Sequence, residues 1–134
     1  MLLYAACGKM KREMKIEKKL KKEWRNIIFN IIFASSTILV VVLFYKNIIL
    51  TTIFESIISI IGLIKWKSKL TLAIYVFGAF FGTFSEMFCI KYEVWNYSIS
   101  NLINIPLWLF LVWGNAAAFI YQTAVEIKSL GVKK

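Results

Sequence analysis

The chain has 134 residues, is 60% hydrophobic and carries a net charge of +10, with a mean hydropathy of +0.70. An ordinary soluble domain is nearer half apolar, so that class is excluded, and the length leaves room for one bundle and no appended soluble domain. With neither His nor Asp in the sequence, an imidazole base, a His-dependent triad and a His-ligated metal are excluded as well.

Residues 1–26 form a basic segment, with nine Lys and Arg between Lys9 and Arg25. Its opening MLLYAAC has no preceding basic residue and is too short for a secretory h-region. Translation is expected to start at Met10 or Met14 rather than Met1. Met10, Met14, Leu20 and Trp24 punctuate the charges at partly helical spacing. That pattern predicts a short amphipathic helix on the inner membrane face, drawn to anionic lipid headgroups and anchored by Trp24. Nucleic-acid binding is disfavoured, because the positive charge lies beside an apolar run.

Four apolar runs follow, at 27–45, 48–64, 70–90 and 102–125. At about 1.5 Å per residue, each crosses or nearly crosses a hydrocarbon core of roughly 30 Å. The segments before the first run, between the second and third, and after the fourth hold 15 of the 17 Lys and Arg residues. The other two gaps hold only Lys46 and Lys91. The positive-inside rule then predicts an all-α, four-transmembrane-helix bundle of the cell membrane at 27–128, both termini cytoplasmic, with a basic tail at 129–134.

In span 1, Asn30, Ser35, Ser36 and Thr37 can satisfy themselves on the i−4 carbonyl. Thr52, Glu55, Ser59, Gly62 and Trp66 share one face of span 2. An ionised Glu55 is costly in lipid and should face protein or trapped water. Tyr75, Gly78, Gly82, Glu86, Cys89 and Glu93 stripe span 3. Gly78 and Gly82 make a notch for another backbone, either a neighbouring helix or a second copy in a homo-oligomer. Tyr92, Trp95 and Tyr97 cluster in the outer connection. Span 4 opens at Asn104 and Pro106, and Asn104, Trp108, Asn115, Gln122 and Glu126 make it polar on one side. Cys7 and Cys89 stand alone, giving neither a disulfide framework nor a zinc site, and no cofactor is implied.

This topology gathers Glu55, Glu86, Glu93, Asn101, Asn104 and Trp108 in the outer half of the bundle. It predicts one outward-facing polar cavity floored by Asn115. Glu86 is the candidate catalytic group, and Glu55, Trp95, Tyr97, Asn104, Trp108 and Asn115 are the candidate substrate-binding residues. The alternative for Glu55 and Glu86 is interhelical glue. Glu93 and Glu126, near water, are expected to be solvated.

The segments Gly82-Thr83-x-x-Glu86, Trp95-x-Tyr97, Ile105-Pro106-Leu107-Trp108-Leu109 and Trp113-Gly114-x-Ala116-Ala117 together resemble a pattern in small prokaryotic integral-membrane proteins. More loosely, residues 77–121 resemble the carotenoid-biosynthesis hydratases of the bisanhydrobacterioruberin type. The paired acids of the related lycopene cyclase domains are missing at Pro106-Leu107-Trp108. The resemblance nominates Glu86, Trp95, Tyr97, Pro106 and Trp108 without transferring an activity. Three functions fit the sequence: a membrane subunit or packing partner, a membrane enzyme acting on an isoprenoid or other lipid, and a dimeric small-solute or proton-coupled carrier.

Overall fold

An α-helix satisfies its own backbone hydrogen bonds, and the β-branched apolar runs of this chain are helical. The computed structural model describes residues 1–131, so positions 132–134 of the expected basic tail lie outside the described residues. Among the described residues there are four helices: α1 (Leu2–Phe44), α2 (Ile48–Trp66), α3 (Lys69–Lys91) and α4 (Leu109–Ser129). Helices α1, α2 and α3 are long and apolar enough to cross a membrane. Helix α4 packs against all three of the others, most extensively against α3. Its buried Asn115, Gln122 and Glu126 lower its hydropathy. A helix enclosed by neighbours can carry such groups because protein, not lipid, receives them.

Two expectations about boundaries are corrected. The predicted interfacial helix is not a separate element, since the basic segment continues without a break into the apolar one as a 43-residue helix. Residues 9–44 contain no Gly or Pro and are rich in Lys, Arg and Glu at the basic end, so nothing there stops propagation. Span 4 does not begin at residue 102, because α4 starts at Leu109. Leu102–Ile105 closes a tight turn through Ile105 N–H donating to Leu102 O at 2.8 Å, with Ile103 and Asn104 at φ 41° and 65°. Those left-handed residues break the helix, and Pro106 bars its preceding residue from the helical region.

The connections are capped locally. Asn47 Oδ1 accepts from Leu50 N–H at 3.1 Å to open α2, and Ser68 Oγ accepts from Thr71 N–H at 3.1 Å to open α3. Lys67 takes the left-handed C-cap of α2 at φ 49°. Lys65, Lys67 and Lys69 thus mark one end of the bundle, the lysine-rich end. The 92–108 connection lies at the far end.

Small residues set how closely the helices approach. Trp113 of α4 lies on Gly82 of α3, Tyr75 of α3 lies on Gly114 of α4, and Ala117 opposes Gly78. The Gly78/Gly82 notch is therefore filled by α4 of the same chain. Phe33 of α1 likewise packs on Gly62 of α2, with its ring 4.8 Å from that of Trp66. At the far end, Ile90, Ile105, Trp108 and Leu109 form an apolar plug.

Candidate functional site

Two polar layers lie inside the bundle, separated by Phe33, Gly62 and Ala118. Nearer the lysine-rich end, Trp66 Nε1 donates to Asn30 Oδ1 at 3.0 Å, Asn30 Nδ2 donates to Thr123 Oγ1 at 3.4 Å, and Gln122 Nε2 donates to Thr71 Oγ1. The second layer, at mid-bundle, draws on all four helices. Asn115 Nδ2 donates to Glu55 Oε2 at 3.0 Å and to Thr37 Oγ1 at 3.2 Å. Ser59 Oγ donates to Asn115 Oδ1 at 2.8 Å and accepts from Tyr75 O–H at 3.0 Å. Glu55 has no exposed surface, and its Oε1 has no partner among the described residues. A buried acceptor left unpaired costs about 1–3 kcal/mol, so this oxygen is the group in the layer most ready to take a new partner.

An apolar crevice of about 280 Å³ lies between α1 and α4 beside this layer. Ala34, Ile38, Val112, Ala116 and Phe119 line it, and Thr37 and Asn115 border it with their polar atoms turned into the hydrogen-bonded layer. Glu55 stands one hydrogen bond behind Asn115.

A separate constellation closes the far end. Glu86 Oε2 accepts from Trp95 Nε1 at 2.8 Å and from Tyr97 O–H at 3.1 Å, and the Tyr97 ring meets the Trp108 ring edge-on at 6.1 Å. Burial first, and then the neighbouring Glu86 carboxylate, push the Tyr97 phenol well above its ordinary pKa of 10.0, keeping it a donor. Asn101 Oδ1 accepts from Leu107 N–H at 3.0 Å, folding the end of this connection onto itself.

The hydrogen bonds thus divide the candidate residues into two groups instead of joining them in one outward-facing cavity. Glu55 and Asn115 meet at mid-bundle, and Glu86, Trp95 and Tyr97 meet at the far end. Trp108 is buried in the plug, with its Nε1 unpaired among the described residues. Asn104 is exposed on the turn, beside a groove lined by Phe84, Met87 and Phe88. Glu93, at φ 58°, is exposed as expected. Glu126 is not solvated: it is buried and accepts from Asn26 Nδ2 at 3.1 Å.

Thr37 and Asn30 are the participants that backbone self-satisfaction obscured. Their signal lies in the spacing of Asn26, Asn30, Phe33 and Thr37, which fall 4, 3 and 4 apart on one face of α1. Ser36 behaves as expected, donating to Ile32 O at 2.8 Å, whereas Thr37 serves α4.

The fold and site define an all-helical protein with three helices able to cross a membrane and a carboxylate enclosed among all of its helices. In comparisons with known proteins, no family model, no curated protein and no solved structure matches the chain.

Proposed function

We propose that this is a four-span protein of the cell membrane, both termini cytoplasmic, that binds a hydrocarbon-chain ligand of the isoprenoid or lipid class in the crevice between α1 and α4. The observation that carries the reading is the apolar crevice between α1 and α4, which lies beside the enclosed Asn115–Glu55 pair. An apolar chain gains by filling such a crevice. On this reading an acid–base role belongs to Glu55 instead of Glu86, whose carboxylate is taken up by Trp95 and Tyr97. Displacing Asn115 would uncover the Glu55 Oε2 that it now covers, toward an allylic or alkene group of the ligand.

The test is organic extraction and mass spectrometry of the protein purified from its native membrane. A chain-bearing small molecule should accompany the wild type in near-stoichiometric amount and be lost from Ala116→Phe and Ala34→Phe, which fill the crevice. An extract unchanged by both substitutions would remove the proposal.

One observation favours a second reading, a membrane subunit. Phe77, Phe80, Phe81, Phe84 and Phe88 present an exposed aromatic face along α3, suited to packing on a partner helix.

A further inference from the structure

At the lysine-rich end, α1, α2 and α4 enclose a cavity of about 250 Å³ whose chemistry is unlike that of the apolar crevice. Helix α1 supplies Lys22 and Asn26, α2 supplies Lys65 and Trp66, and α4 supplies Gln122 and Glu126. Its polar walls are held in place before any ligand arrives. Glu126 Oε1 accepts from Asn26, the Trp66 indole is fixed on Asn30, and Gln122 is fixed on Thr71. The two lysines are exposed, whereas Glu126 is buried. The Lys65 ammonium stands 5.8 Å from the centroid of the Phe29 ring, which also lines the cavity.

Two ammonium groups beside one recessed carboxylate select a particular kind of ligand. A metal cation is disfavoured by the lysines, and among the described residues no cluster of metal-ligating side chains occurs. A bare inorganic anion satisfies the lysines and is repelled by Glu126. The complementary ligand carries an anionic group for Lys22 and Lys65 and, a few bonds away, a hydrogen-bond donor for Glu126. The cavity also sits where α1 passes from its charged to its apolar half, with an indole in the wall, the level at which headgroups lie.

We infer that this cavity binds a phosphodiester lipid headgroup. Its phosphate lies between Lys22 and Lys65, and its ammonium or hydroxyl substituent donates to Glu126. This site shares no lining residue with the crevice and does not depend on what the crevice holds.

The test is native mass spectrometry of the full chain in neutral detergent, titrated with phosphatidylethanolamine, phosphatidylglycerol or phosphatidylcholine. The first two should bind about tenfold more tightly than phosphatidylcholine, whose quaternary ammonium has no donor for Glu126. Lys22→Gln and Lys65→Gln, both at exposed positions, should each weaken all three lipids by about fivefold. Glu126→Gln, which keeps an acceptor for Asn26, should abolish the preference over phosphatidylcholine. Equal binding of the three lipids, or lysine variants that bind like wild type, would overturn the inference. If glycerophosphoethanolamine displaces the lipid at equal concentration, the site belongs to a soluble phosphoester and the lipid assignment fails.

Discussion

At the scale of single residues, the carboxylates fall into different jobs according to what donates to them. Glu86 receives both an indole N–H and a phenol O–H on one oxygen, so it ties the 92–108 connection down onto the end of α3. Glu86→Ala should release that connection, raising hydrogen exchange of the bonded Glu93, Val94 and Asn101 amides by roughly tenfold, while Glu86→Gln retains most of the protection. Unchanged exchange in Glu86→Ala would show that the aromatic contacts hold the loop without the acid. The sequence marked Glu55 and Glu86 as unusual because charge in an apolar run is conspicuous. It did not reveal their partners. Helical spacing assigns a residue to a face, and the opposing face comes only from the register between helices. Glu126 shows the same limit: it stands near the end of a span, yet Asn26, a hundred positions away in sequence, turns it inward.

At the scale of elements, the α3–α4 pair is set by reciprocal seating of aromatics on glycines, Trp113 on Gly82 and Tyr75 on Gly114. Any β-carbon at residue 82 meets the Trp113 ring. Gly82→Leu should therefore cost about 1–3 kcal/mol of stability, measured by unfolding in mixed detergent, whereas Ile60→Val on an exposed face should stay within about 0.5 kcal/mol of wild type. A neutral Gly82→Leu would mean that the two helices do not approach this closely. Helix identity and order were legible because four apolar runs separated by charges leave few alternatives. Two boundaries were less so. The strained Ile103–Asn104 turn delays α4 to Leu109, and no breaker separates the charged and apolar halves of α1.

At the scale of the whole molecule, apolar and polar layers alternate along the bundle, and each polar layer has a different neighbour. The mid-bundle layer meets the crevice between α1 and α4, and the layer at the lysine-rich end adjoins the charged cavity. Composition made the asymmetry between a lysine-rich end and a far end legible. The crevice was not, because it depends on how α1 and α4 face each other, a register that the Thr37–Asn115 contact reflects. The most direct measurement of the crevice's role is site-specific photocrosslinking in native membranes. A benzoylphenylalanine replaces either Ile38, at the lip of the crevice, or Ile57, exposed on α2. A ligand-binding crevice predicts one dominant small-molecule adduct at residue 38, abolished by Ala116→Phe, against a mixture of bulk lipids at residue 57. The same mixture at both positions, unaffected by Ala116→Phe, would contradict it.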